Sequence, residues 1–525
     1  MVVDTAQEIK QVSAWPDFFV GLRRDMALRN KTKMPKNSVQ DSLNVRFLDG
    51  SVIKRPGYTT YLTGLTGRVR LIDEWYDANA VQHLIIATDT NVYEYNVATG
   101  VNTDRTPTGG LHGVTGSVYQ GVGFYGKYFI TNNVDQPLYW DGIAAKFVFL
   151  TTTGAPVKSQ TVVAFSSHLL WLNVQDSVLG LQPQEIIWSD NQNGLTYNSG
   201  DAAVVTLEDT NDAIIGTEIV QNVLAIARQK SIYISQFIGF PFFYLFQRRV
   251  EKYGILATNT FKKTETNILG LDPNGVLAFD GANLDAYVGE PVKDDIIALV
   301  PQNPFISGAF ATFDLTGIAW RLFVSSRVDG NPDTEYEFHD LFKCWAKHSY
   351  AVPITAIGSF KFGAQYPLWS QLTSGWNTYQ IHWNDPLTSA LGPAILYGDM
   401  NGNIYITQTA SNDNGQAINA FFKTIPSELE LSGWIKELWR LQFILTQQTT
   451  GILTVHVYAS DDGEVFTEAA TSPYTLNMAN TPIPFIDVFA TGCWFYLYVL
   501  DANLNETFSI REIRATYMPL YELEY

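Results

Sequence analysis

One phrase recurs along this chain: a short apolar run, a polar turn, and a second run that contains or ends in an aromatic. It appears first after Val69 to Trp75, as His83 to Thr88 (HLIIAT) and Asn91 to Asn96 (NVYEYN). It returns as Tyr128 to Asn132 with Pro137 to Gly142, as His168 to Asn173 with Glu185 to Asp190, and as Val223 to Ala227 with Ser231 to Ile234. Three further copies are Asn267 to Leu271 with Gly275 to Gly281, Arg321 to Ser325 with Glu335 to Phe338, and a unit from Ile354 through Ala394 to Asp399 and Gly402 to Ile406, interrupted by an insertion at Gln365 to Leu391. Repeats of roughly 40–50 residues, each with room for about four short strands, have the period of a β-propeller blade. The coils of a β-helix are shorter and more uniform. The expected fold is therefore all-β, a propeller of six to eight blades with seven or fewer favoured, over residues 37–418.

From about Asn419 the strands lengthen. Gly433 to Leu445, Gly451 to Tyr458, Cys493 to Leu500 and Phe508 to Ile513 alternate in polarity between turn signals, which predicts a β-sandwich over 419–525 whose last strands return towards the propeller. Residues 1–36 read as a basic leader. There Ala14 to Phe19 (AWPDFF) precedes Arg23, Arg24, Arg29, Lys31, Lys33 and Lys36, and two forms suit it: a short helix from Asp17, or an arm that packs on another subunit.

Charge separates the ends of the chain. Charged residues are only 16% of the total, yet residues 1–70 hold 12 Lys and Arg against 6 Asp and Glu, while the rest hold 22 against 46 and the whole carries −18. A body that acidic is a poor general nucleic-acid binder, because affinity for phosphates comes from cations that displace counterions. Cys344 and Cys493 lie far apart and suit two buried thiols in a reducing compartment. The start lacks the charged and apolar regions of a signal peptide, and no apolar run reaches the roughly 20 residues of a membrane helix. A soluble, non-exported chain is the expectation.

The best-defined local element is the hairpin between Asn37 and Tyr61. Leu43, Val45 and Phe47 alternate with Asn44 and Arg46 up to Asp49-Gly50, a pair suited to a two-residue turn in which both residues have positive φ. Val52 and Ile53 begin the return, and Lys54-Arg55-Pro56-Gly57 ends it with two cations, a residue that cannot donate to a ladder and a turn former. Its place between leader and body suits it to close the ring of blades.

Catalytic and cofactor chemistry finds no footing. Gly121 to Lys127 (GVGFYGK) matches a phosphate loop by spacing, but Tyr128 stands where Ser or Thr must hold Mg²⁺, and a strand follows where a helix must begin. Ser189 to Tyr197 and Ser460 to Phe466 approximate the Asp-box hairpins of sialidases without their spacing or an arginine cluster. The seven histidines show no metal-ligand spacing, and Asp399 to Asn403 reads as a turn because it lacks the distal Glu of a Ca²⁺ loop. No cofactor, metal or enzymatic activity is expected.

Four phrases carry a resemblance: Leu43 to Tyr58 (LNVRFLDGSVIKRPGY), Ile186 to Asp190 (IIWSD), Leu269 to Gly281 (LGLDPNGVLAFDG), and the run from Tyr397-Gly398-Asp399 to Phe421 to Thr424 (FFKT). In that order they resemble tail nozzle proteins of short-tailed bacteriophages, the tail tubular protein B and packaged-DNA stabilisation protein class. The resemblance implies a structural virion protein, made in the host cytoplasm and built into the tail as a six-fold homo-oligomeric ring below portal and adaptor. Such a ring retains packaged DNA and then lets it pass without sequence-specific binding, beside fibre or spike proteins and in contact with the host surface. An acidic wall that repels phosphates suits that passage. In this reading the hairpin residues Asn44, Arg46, Asp49, Gly50, Lys54, Arg55, Pro56 and Gly57 form an assembly element, with Lys54 and Arg55 at or next to a subunit contact. A receptor- or glycan-binding tail propeller is the rival expectation, with Trp369, Trp376 and Trp383 of the insertion as its groove.

Overall fold

The computed structural model describes residues 9–25, 35–96, 99–299, 306–361, 393–448, 450–479 and 481–523. The apolar-turn-aromatic phrases become the middle strands of four-stranded antiparallel sheets. In the first, Val69–Tyr76, Gln82–Thr88, Val92–Asn96 and Val101–Asp104 lie in chain order. Both faces of such a middle strand are covered, which explains why His83 to Thr88 is a continuous buried run and not an alternation. Six more sheets follow, and their first strands pack side by side in sequence: Val69–Tyr76, Gln120–Phe124, Lys158–Phe165, Ile214–Val220, Lys262–Lys263, Phe310–Asp314 and Ile354–Phe360, the last against the first. Among the described residues these sheets make a closed seven-bladed β-propeller, each repeated unit being one blade.

Closure is made by the residues just after the hairpin. The seventh blade holds Ile354–Phe360, Ala394–Asp399 and Ile404–Ala410, and its outer strand is Gly57–Leu62, with Thr60 opposite Tyr405 and Thr59 opposite Ile406. Gly57 is required there: a Cβ would lie 1.8 Å from the Asn412 carbonyl oxygen. The hairpin itself does not close the ring. Val45–Leu48 and Ser51–Lys54 pair about Asp49-Gly50 as expected, with φ of 48° and 72° at the turn, but they belong to the sandwich.

That sandwich is built from both ends of the chain, so the partition into 1–36, 37–418 and 419–525 does not describe the folded units. One sheet runs Phe485–Gly492, Trp434–Leu445, Ser509–Glu522, Ser51–Lys54, Val45–Leu48, with Lys10–Trp15 also on Ser509–Glu522. The facing sheet holds Ser38–Leu43, Ala420–Thr424, Trp494–Asp501 and Ile452–Ser460, and continues through Gly21–Leu22 into the outer strand of the sixth blade, Cys344–Ser349. The last strand, Ser509–Glu522, therefore ends within the sandwich and not on the propeller. Alternation along Trp494–Asp501 buries Phe495, Leu497 and Val499 against Leu441, Phe443, Ile513 and Ala515.

In its described residues, 9–25, the leader is not a helix from Asp17, and its aromatic patch packs on its own chain where an arm on another subunit was the alternative. Trp15 and Phe18 are fully buried in the chain's own core, the Trp15 indole donates to the Ile425 carbonyl at 2.9 Å, and Phe18 meets Phe422 edge-on. An aromatic pair of that size is more stable inside the sandwich than on a solvated arm. Arg29, Lys31, Lys33 and the tryptophans Trp369, Trp376 and Trp383 lie outside the described residues. Cys344 and Cys493 are buried free thiols, and no described helix is long and apolar enough to cross a membrane.

Candidate functional site

The hairpin residues singled out in the sequence converge on one seam where the sixth blade, the seventh blade and the sandwich meet. Asn44, at φ 57°, is its hub: its side-chain amide donates to the Asn419 carbonyl at 2.8 Å, and its oxygen accepts from Arg55 Nε and from the Ser349 amide, each at 2.9 Å. The Arg55 guanidinium grips Asp413 with two bonds of 2.9 and 2.6 Å and lies 4.5 Å over the Tyr350 ring. Lys54 points the opposite way, into the sandwich, where Nζ meets Asp501 at 3.1 Å and the Asn503 carbonyl at 3.3 Å. Pro56 accepts at its carbonyl from Arg55, and Gly57 enters the closing strand. Asp49 and Gly50 sit apart at the turn, where the Gly50 carbonyl accepts from the Phe18 amide.

Both cations are thus almost wholly buried and already paired, Lys54 at 2% exposure and Arg55 at 3%. This corrects one form of the expectation that they stand at or next to a subunit contact: burial and partners inside the same chain leave neither head group free to make such a contact itself. Arg23 with Asp25 and Arg24 with Asp41 and Asp295 show the same use of the leader's positive charge. Among the described residues, part of the positive charge of the first 70 is thus met by acids of the body: Asp295, Glu337, Asp413 and Asp501.

Next to Arg55 lies a second buried cluster. Arg321 Nε approaches Glu335 at 2.8 Å and its Nη1 donates to the Tyr397 hydroxyl at 2.8 Å, while Arg46 Nε lies 3.0 Å from Glu337. The Tyr350 hydroxyl donates to Glu335, and His348 Nε2 stands 3.4 Å from Glu337. Burial works against the Arg321 charge, but Glu335, Tyr397 and Glu337 outweigh it and hold its pKa well above the ordinary value. Burial likewise opposes ionisation of Glu337, yet Arg46, His348 and Arg321 draw its pKa far down, and burial keeps His348 on the neutral side.

Glu335, Glu337 and His348 bring three ligand atoms within 4.8 Å of one another, a set that invites a metal. The residues present do not fit one. Two carboxylates already face two guanidiniums, so a divalent cation would add uncompensated charge to a buried site. Sequence reasoning missed this cluster although a signal existed: Thr334–His339 carries two Glu and a His in a strand buried at every position, where charge survives only with partners.

The propeller's central channel is a further concave feature. It encloses about 350 Å³ between the inner strands and is lined by Arg70, Asp73, Gln120, Glu218, Asn259 and Lys262 among others. That is the scale of a small-molecule pocket. Burial pushes the Asp73 carboxyl up to about 6, against a hydrogen bond from Tyr128 and the charge of Lys262. The match of Gly121 to Lys127 to a phosphate loop is settled by Gln120–Phe124 and Lys127–Thr131, which form a tight hairpin with Phe124 opposite Lys127. Asp399 is held as a turn residue, its oxygen accepting from the Asn401 and Asn403 amides at 2.8 Å each.

No family model matches the chain, and no curated protein does. Among solved structures it is similar to the WD40 domain of Neurospora crassa Pan2, at 9% identity and a TM-score of 0.37 over 68% of this chain and 94% of that one. It is similar too to a catalytically inactive virginiamycin B lyase from Staphylococcus aureus with quinupristin, at 8% identity and a TM-score of 0.37 over 67% and 99%. At such distances neither protein's activity carries over.

Two outcomes follow from the seam and the channel. Lys54→Met leaves the buried Asp501 without a countercharge, holding only its bond from the Asn503 amide, and should cost about 3–5 kcal/mol in urea or thermal unfolding, whereas Lys54→Met with Asp501→Leu should recover most of that; equal losses in single and double variants would show the pair to be uncoupled. For Asp73 the folded pKa is raised, so its stabilising contribution is present below the unfolded value near 4 and is lost as pH rises through about 6. Asp73→Asn should accordingly melt with the parent at pH 4 and above it at pH 7.5, by about 2 kcal/mol. A difference that does not change with pH would refute the assignment.

Proposed function

We propose that this propeller protein is a structural, non-enzymatic subunit of a phage tail nozzle, assembled as a six-fold ring whose shared lumen retains DNA and later lets it pass. The supporting observation is spatial. Segments of the resembling phrases that lie far apart in sequence meet at the seam: Leu43 pairs with Phe421, and the Tyr58 ring lies 6.3 Å from that of Tyr397. A sandwich made from both chain ends and continuous with a blade makes one stiff body, which suits a part that bears load within an assembly. In this reading DNA travels along a lumen between subunits, since a single propeller's channel is of small-molecule size. The net charge of −18 suits a wall that does not hold phosphates. Tail adaptor and fibre or spike proteins are the partners this reading calls for.

Electron microscopy of the purified chain, alone and mixed with virion tail components, tests the proposal. Six-fold rings that dock on the tail are expected. A protein that remains monomeric with those components and instead binds cell-surface glycan would replace this reading with that of a receptor-binding tail propeller.

A further inference from the structure

The fourth blade carries a feature that neither the fold nor the seam uses. Its third and fourth strands, Ser231–Gly239 and Phe243–Glu251, are joined by a tip reading Phe237-Ile238-Gly239-Phe240-Pro241-Phe242. Phe240 is 86% exposed and Phe242 74%, with Ile238, Phe237 and Leu245 at 51%, 46% and 40%. Single exposed apolar residues are ordinary; five within nine positions are a patch. It is also a projection, since nothing lies within 4 Å of a Cβ placed on Gly239.

The base of this projection is fixed. Gly239 pairs with Phe243, the Tyr244 hydroxyl donates to the Phe165 carbonyl at 3.0 Å, and the Tyr244 ring packs on Trp188 at 5.3 Å. His168 bridges the Phe237 and Phe243 rings at 6.0 and 5.8 Å. On the same side of the ring, Tyr125, 53% exposed, bonds Ser167 through its hydroxyl and widens the patch across the second and third blades. Exposure at the tip is therefore not compensated by collapse onto the body.

Charge distinguishes the partner. From Ser231 to Gln247 the hairpin has no charged residue; of the two that follow, Arg248 pairs with Glu251 at 3.0 Å and Arg249 is exposed, in a chain of net charge −18. An uncharged aromatic tip with the exposed cation Arg249 higher on the same strand matches the order of a bilayer surface, apolar layer first and anionic headgroups above it. A bilayer also accepts an apolar projection without a pre-shaped socket, which a protein partner would have to supply.

We propose that the Phe237 to Phe242 tip is a membrane-insertion element that docks this face of the propeller on an anionic lipid bilayer. The inference stands apart from the ring reading, because lipid docking and ring formation are measured separately. The test is flotation of the full chain with vesicles of phosphatidylcholine and phosphatidylglycerol. The parent should float with the vesicles, and Phe240→Ser with Phe242→Ser should lower the bound fraction roughly tenfold or more while melting at the parent's temperature, since both side chains are exposed. A parent that stays with the free protein, or a variant that floats equally well, overturns the proposal. If the parent ignores vesicles and the variant instead changes the sedimentation of the assembly, the tip is a contact between copies and the lipid reading falls.

Discussion

The Lys54–Asp501 and Arg55–Asp413 pairs join residues 447 and 358 positions apart, and everything else in the molecule is arranged around that junction. Two adjacent cations point in opposite directions. Lys54 closes the sandwich and Arg55 fixes the start of the strand that closes the propeller, so one turn of backbone governs both units. The ring and the sandwich thus share their closing segment, and neither can be completed without the other end of the chain.

Charge in such a place is costly, because each ion loses its water. What it contributes is register. Strand periodicity is two, so a slip by one residue at Ser51–Lys54 would turn Lys54 and Arg55 to the wrong sides and leave Asp413 and Asp501 buried without their countercharges. An apolar seam would tolerate that slip far better. Asn44, held at positive φ and bonded to two segments besides Arg55, reinforces the same choice.

Blade order was legible, and blade number to within one, because a middle strand buried on both faces is mostly apolar along its length; the sixth unit, with Arg321, Glu335 and Glu337 in its buried middle strands, departs from that form. The hairpin was legible through Asp49-Gly50. Its partners were not. Which strand it joins depends on pairing over hundreds of residues, and a signal such as "two cations" is the same for a subunit contact and for an internal pair. The aromatic leader misled for a similar reason: Trp15 and Phe18 fill a core assembled mostly from residues between 257 and 346 and from 420 onward, which no local pattern announces. Glu335, Glu337 and His348 were readable only as misfits in a buried strand.

Shared closure predicts shared opening, and native-state hydrogen exchange measures that most directly. Amides of Ser38–Leu43, Gly57–Leu62 and Ser509–Glu522 should exchange as one cooperative unit, with the same dependence on denaturant. If Gly57–Leu62 opened at low denaturant while Ser509–Glu522 stayed protected to the global transition, the two closures would be independent and the account of the seam would be contradicted.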